Sequence, residues 1–290
     1  MYNTIIIGAG PAGISAGIYI KRANLNVVIL DKGESALTKT NEIDNYYGFE
    51  SGITGEELYR RGIKQAENLG IEIKKEEVVK IEKEDAFKIY TTNNEYEAEN
   101  IILATGNKKN KPKIEGIEKF EGKGISYCAI CDGFFYKQKD VAIIGSGNYA
   151  FSELGDLINI VNKATILTNG RDIREDRSCN TKVDICTKPI KRITGENKVN
   201  KVIFEDDTYI NIDGIFVAEG VAGSQEFAKK LGIITDKNKI VVDNNMRTNI
   251  NNVYACGDCT GGILQISKAV YEGMIAAFDI IKNTRKEDKE

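Results

Sequence analysis

Thr4-Ile5-Ile6-Ile7-Gly8-Ala9-Gly10-Pro11-Ala12-Gly13 is the stretch that decides the fold class. A β-branched apolar run ends in glycines spaced G-x-G-x-x-G, and a helical apolar pattern follows from Ile14 to Ala23. A second apolar strand, Val27-Val28-Ile29-Leu30, closes on Asp31, 23 residues past Gly8. Strand, glycine turn, helix, strand and acid are the parts of a dinucleotide-binding unit. The glycines allow a tight turn, backbone approach to a pyrophosphate and close helix packing, and the acid takes a ribose hydroxyl. The competing reading is an ordinary glycine turn before a helix, and it leaves Asp31 unexplained.

The unit recurs. Val141-Ala142-Ile143-Ile144 leads into Gly145-Ser146-Gly147-Asn148-Tyr149-Ala150, a helical pattern from Phe151 to Val161, and the strand Ala164-Thr165-Ile166-Leu167. Aligned without a gap, the position of Asp31 falls on Thr168, followed by Asn169 and Gly170. The expected fold is therefore α/β, with two Rossmann-like nucleotide-binding domains, the second and smaller one inserted into the first. Residues 1–112 with 245–290 form the outer domain, and 113–244 the inserted one. Strand-like segments at 71–81, 86–92 and 96–104 continue the outer domain, and the polar, basic run Asn107–Lys113 reads as a linker. Asn252–Cys256 and a helix over 264–282 return to the outer domain, and Arg285–Glu290 reads as a charged tail.

With 290 residues, 41% hydrophobic and 29% charged, the chain has a soluble globular composition. A net charge of −3 and a pI near 5.5 argue against non-specific nucleic-acid binding. No apolar run reaches the ~18 residues of a membrane span, and none resembles a secretory signal. A cytoplasmic protein without membrane or nucleic-acid partners is expected. Histidine is absent, which removes the commonest general base and the commonest metal ligand. Acid–base work must then fall to Asp, Glu, Cys, Tyr or Lys.

Six cysteines remain, at 128, 131, 179, 186, 256 and 259. In a chain of this size without a secretory signal they read as redox or buried thiols. Two of them lie in Ser126-Tyr127-Cys128-Ala129-Ile130-Cys131-Asp132-Gly133-Phe134-Phe135. A C-x-x-C pair places two sulfurs for a reversible disulfide, and Asp132 can protonate a leaving thiolate. The rival is half of a zinc site. The other C-x-x-C, Cys256-Gly257-Asp258-Cys259, lies more than a hundred residues on, and no histidine exists to complete a mixed site; no metal is expected. Cys256 and Cys259 read as small buried hydrophobes rather than a second redox pair. Cys179 and Cys186 could bridge, which spacing does not decide.

With Gly8–Gly13, Cys128–Phe135 and Gly145–Ala150, the chain resembles the low-molecular-weight thioredoxin reductases over nearly its whole length. The likeness extends to Thr40–Phe49, to Ala104-Thr105-Gly106, to Ala255-Cys256-Gly257-Asp258 and to Gln265. It implies a pyridine nucleotide-disulfide oxidoreductase fold, FAD as cofactor and a homodimer. Gly8, Gly10, Pro11, Ala12 and Gly13 would surround the pyrophosphate, with Asp31 at the adenosine ribose and Lys32 beside it. Ala104, Thr105 and Gly106 would close the FAD domain. Asn45 and Gln265 would lie near the isoalloxazine, with Ile266 following, and Gly257 and Asp258 would reach the ribityl chain and phosphates. Cys131 would face the flavin, Cys128 would attack the disulfide of thioredoxin, and Asp132 would be the acid. A rotation between domains is also implied, since the dithiol cannot face flavin and protein partner together.

The family pattern breaks at the second nucleotide unit. Where the family carries a His-Arg-Arg run and a further arginine, this chain has Thr168-Asn169-Gly170 and then Arg174. Those basic residues hold the 2′-phosphate of NADPH, each contact worth about 1.5–3 kcal/mol. Tyr149 puts a ring into the glycine turn, the segment after Arg174 is short, and Ala218-Glu219-Gly220-Val221-Ala222 lacks the family's His and Pro. Arg171, one residue out of register, could partly compensate. Intact FAD motifs with an eroded nicotinamide site resemble the ferredoxin-dependent flavin thioredoxin reductases of clostridia, which implies ferredoxin as donor and thioredoxin as acceptor. Ferredoxins are acidic, so Lys108, Lys109, Lys111, Lys113, Lys137 and Lys139 are candidates for docking, against the plainer reading of a solvated loop. The rival functions are an NADPH-dependent reductase with an atypical site, a ferredoxin–NADP reductase, against which the dithiol speaks, and a non-catalytic flavin redox sensor.

Overall fold

The structure, a computed structural model, describes residues 1–33, 35–106, 112–173, 183–219, 223–237 and 239–287. It divides into two compact units, residues 1–108 with 223–290, and residues 109–222.

The first unit begins with β1 (Tyr2–Ile7), α1 (Pro11–Arg22) and β2 (Val27–Asp31). Thr4 to Ile7 are buried on both faces, as an unbroken β-branched run in a parallel sheet requires. Pro11 starts α1, where its missing N–H costs nothing. Then come α2 (Gly55–Asn68), capped by Thr54, β3 (Glu72–Lys75), β4 (Val78–Lys83), β5 (Phe87–Thr91) and β6 (Glu95–Leu103). β3, β2, β1 and β6 run parallel in that order. β4 and β5 form an antiparallel meander on the first half of β6.

The second unit holds α3 (Ile117–Phe120), β7 (Ile125–Ser126), α4 (Ala129–Asp132), β8 (Asp140–Ile144), α5 (Asn148–Leu157) and β9 (Lys163–Leu167). It continues with β10 (Val183–Cys186), β11 (Ile190–Gly195), β12 (Val199–Phe204), β13 (Tyr209–Asn211) and β14 (Gly214–Val217). The order β10-β9-β8-β14-β7 is parallel throughout, and β11-β12-β13 is a separate antiparallel sheet. Both sheets close on one core that includes Ile144, Leu167, Phe204 and Ile215.

The return to the first unit corrects the sequence reading. It comes at Gly223 rather than 245. α6 (Ser224–Leu231) lies against β4, burying Phe227 and Ala228, and β15 (Thr235–Asp236) and β16 (Lys239–Ile240) form a small hairpin beside it. The crossing has no composition shift to mark it. β17 (Val253–Ala255) then pairs with the second half of β6, and α7 (Ile266–Glu287) packs on α1. α7 is helical through Glu287, so the first half of the expected tail belongs to it. Gly273 lets α7 reach the α1 backbone: a Cβ there would meet the carbonyl oxygen of Ala12 at 2.1 Å. Among the described residues no helix is long and apolar enough to cross a membrane.

Candidate active site

The first glycine turn divides its labour. A Cβ on Gly13 would stand 1.9 Å from the carbonyl oxygen of Gly8, so Gly13 serves close helix–strand packing. A Cβ on Gly10 would meet nothing within 4 Å. That position is open to a ligand, and no side chain caps the start of α1 there. Asp31 ends β2 as the sequence places it. Its Oδ1 accepts from Ala9 N at 2.9 Å, and its Oδ2 from Gly33 N at 2.7 Å and from the Tyr59 hydroxyl at 2.8 Å. A carboxylate has about four acceptor sites, so Oδ1 keeps one for a ribose hydroxyl. Burial, then the Asp31 charge, pushes the Tyr59 phenol pKa up; Tyr59 carried no sequence signal. Lys32 pairs with Glu77 at 3.7 Å.

The remaining expected residues lie in the same unit. Ala104, Thr105 and Gly106 follow β6, and Gly106 too has open space where a Cβ would stand. Asn45 Nδ2 donates to Gln265 Oε1 at 3.2 Å, bringing together two residues far apart in sequence, and Ile266 begins α7. Gly257 and Asp258 lie in a turn whose backbone takes φ of 83° at Gly257 and 79° at Gly261. Lys268 holds this turn: its Nζ donates to Gly257 O at 2.8 Å, Gly261 O at 2.6 Å and Thr260 Oγ1 at 2.8 Å, and pairs with Glu272 at 2.9 Å. Glu272 accepts in turn from Gly257 N at 2.8 Å. An open glycine, an acid with a spare acceptor site and a braced acidic turn fit FAD. Cys256 and Cys259 are buried thiols outside any disulfide, and burial, then Cys259, pushes the Cys256 thiol well up. That suits inert packing groups.

In the second unit Cys128 and Cys131 form a disulfide, with Cα atoms 5.3 Å apart. Ser126 Oγ donates to Asp132 Oδ2 at 2.6 Å and accepts from Cys128 N at 3.1 Å, so Asp132 is tethered beside the Cys128 backbone. Cys128 is 2% exposed, whereas Cys131 is exposed, as are Ile130, Phe134 and Phe135. Cys186 is a free, half-buried thiol; Cys179 lies outside the described residues. Among the described residues no cluster could hold a metal ion.

The second nucleotide turn keeps its backbone and has changed its chemistry. Thr168 is buried, and its hydroxyl finds no partner among the described residues. Asn169 takes a φ of 54°, and its side chain accepts from Ile190 N at 2.7 Å, a structural duty. Arg171, one of the two arginines able to compensate for the lost basic run, is ion-paired with Glu219, whose side chain is 9% exposed. Tyr149 is buried beneath the turn, with its hydroxyl donating to Tyr127 O at 3.3 Å. Arg174, Lys108, Lys109 and Lys111 lie outside the described residues, as do Gly220, Val221 and Ala222. Lys113 and Lys137 are exposed, and Lys139 donates to Phe135 O at 2.9 Å.

A family model for pyridine nucleotide-disulphide oxidoreductases matches residues 2–273. The thioredoxin reductase of Rickettsia prowazekii is 34% identical over 305 residues, covering 98% of each chain. That of Bacillus subtilis is 33% identical over 294 residues, covering 96% of this chain and 93% of the other. Among solved structures, the atypical thioredoxin reductase TRi from Desulfovibrio vulgaris Hildenborough matches with a TM-score of 0.88 and 35% identity, over 98% of this chain and 99% of that one. A ferredoxin-flavin thioredoxin reductase from Clostridium acetobutylicum matches with a TM-score of 0.69 and 33% identity, over 98% of both. The chain belongs to the pyridine nucleotide-disulphide oxidoreductase family and, within it, to the FAD-containing thioredoxin reductases.

Proposed function

We propose that this chain is a thioredoxin reductase that draws its electrons from reduced ferredoxin and delivers them to thioredoxin through Cys128 and Cys131. The observation that carries the donor assignment is the Arg171–Glu219 pair. The described cation beside the lost basic run, Arg171, is neutralised by a buried acid of the same unit, and a phosphate would have to displace that acid and then lie against it. The likeness to a ferredoxin-flavin thioredoxin reductase supports the reading. Exposed Lys113, Lys137 and Lys139 are the described part of the basic docking surface, and a homodimer is the expected assembly.

The Gly8–Gly13 turn, Asp31, Asn45, Gly257–Asp258 and Gln265 would hold FAD, which when bound would supply the electron pair that opens the disulfide. The protein's own groups do the rest. The Cys128 thiolate attacks one sulfur of the thioredoxin disulfide and forms a mixed disulfide, releasing the other sulfur as a thiolate. Cys131 then attacks Cys128, freeing dithiol thioredoxin and restoring the Cys128–Cys131 bond. Asp132 gives its proton to a leaving thiolate, a duty that falls to a carboxyl in a chain without histidine. Because Cys128 is buried, it must be uncovered before it can attack. The test is anaerobic mixing of the oxidised flavoprotein with NADPH, NADH or reduced ferredoxin. Rapid bleaching by ferredoxin alone is expected; rapid bleaching by micromolar NADPH would favour an NADPH-dependent reductase instead.

A further inference from the structure

We propose that α5 is the positioning element of the redox dithiol, and that Tyr149 and Glu153 clamp the backbone on either side of Cys128. The two residues are four apart on one helix and so share a face. The Tyr149 hydroxyl donates to the carbonyl of Tyr127, immediately before Cys128, at 3.3 Å. Glu153 Oε2 accepts from the amide of Ala129, immediately after it, at 2.6 Å. Both side chains are almost wholly buried, at 2% and 1% exposed, where such bonds are at their strongest. α4, which carries Cys131, packs against α5.

The clamp gives the ring at position 149 a use. It lies in the turn where a nucleotide-binding unit wants a small residue, yet it points under the dithiol segment. Fixing the backbone on both sides of Cys128 raises the effective concentration of each sulfur for the other. That favours the closed disulfide over the open dithiol, and makes the reduced pair the stronger reductant.

The inference rests on the disulfide-reductase reading only in taking Cys128 and Cys131 as the exchanging pair. The test uses the FAD-loaded full chain, equilibrated anaerobically against mixtures of reduced and oxidised dithiothreitol. Two electrons and two protons pass from dithiothreitol to the pair, its own thiols closing to the ring disulfide. Acid quench, alkylation and peptide mass then give the fraction of Cys128 reduced. Tyr149→Phe and Glu153→Met, which remove the hydroxyl donor and the side-chain acceptor, are each expected to shift the equilibrium about threefold toward the dithiol. The double variant is expected to shift it about tenfold, equivalent to ~30 mV for this couple. Gly155→Ala, on the same helix with no atom within 4 Å of the added methyl, is the control for helix stability and should leave the equilibrium in place. If the folded, flavin-loaded double variant titrates like the wild type, the clamp is refuted. If the wild-type pair does not exchange with dithiothreitol at all, the disulfide-reductase reading fails first.

Discussion

Arg171 and Glu219 meet as an ion pair beyond the ends of β9 and β14, the guanidinium half exposed and the carboxylate buried. The pair makes Arg171 a structural residue. Arg171→Ala should leave ferredoxin-driven turnover unchanged and lower stability by about 1–2 kcal/mol, since a buried acid loses its partner on one accessible side. Urea denaturation and donor-specific turnover measured on one preparation check this. A variant that lost only NADPH-driven activity would show that Arg171 serves a nucleotide.

Gly10 and Gly13 should separate binding from folding. Gly10 has φ of −69° and an unobstructed Cβ position, so Gly10→Ala should keep apoprotein stability within about 0.5 kcal/mol. It should weaken FAD at least tenfold, because the methyl occupies the pyrophosphate's approach. Gly13→Ala collides with the Gly8 backbone and should cost about 1–3 kcal/mol or more. Flavin release and denaturation curves for the two variants, compared, decide it.

The Ser126–Asp132 bond predicts a graded loss of exchange chemistry. Asp132→Asn should slow oxidation of the pre-reduced enzyme by thioredoxin about 10²-fold, the lower range for a general acid. Ser126→Ala should give a smaller loss, because it frees Asp132 without removing it. Single-turnover kinetics with the flavin spectrum as a folding control measure both; an unimpaired Asp132→Asn would remove Asp132 from the mechanism.

Stability should fall in alkali. Burial, followed by neighbouring carboxylates, raises the phenol pKa values of Tyr59 and Tyr254, and burial raises that of the Cys256 thiol. Groups whose folded pKa is raised contribute fully below their unfolded values, about 8.5 for the thiol and about 10 for the phenols. The contribution is lost as the pH climbs toward the folded values, because the unfolded chain ionises first. Denaturation midpoints between pH 7 and pH 11 should therefore decline above about pH 8.5, and Cys256→Ala should flatten the first part of the decline.

The two nucleotide units were legible because each is local: strand, glycine turn and helix lie within one short stretch. The dithiol was legible for the same reason. The crossing at Gly223 was not, since a boundary between units is defined by which core a segment joins. Tyr149 read as an obstruction in a nucleotide turn; its partner, the Tyr127 carbonyl, is a backbone group that no side-chain pattern marks. Glu153, Glu219 and Tyr59 escaped notice for a related reason. Each acts through a contact distant in sequence, and a lone acid or tyrosine in a helix or strand end carries no signature of its partner.

The lysine brace around the Gly257–Gly261 turn bears on the life of the protein without its flavin. All the groups that shape the turn, Lys268, Thr260 and Glu272, are supplied by the polypeptide itself. Its left-handed glycines are thus already set when the cofactor arrives, and little ordering remains to be done on binding. A chain stripped of its flavin should keep this turn as a waiting mould, and be recharged simply by adding FAD back.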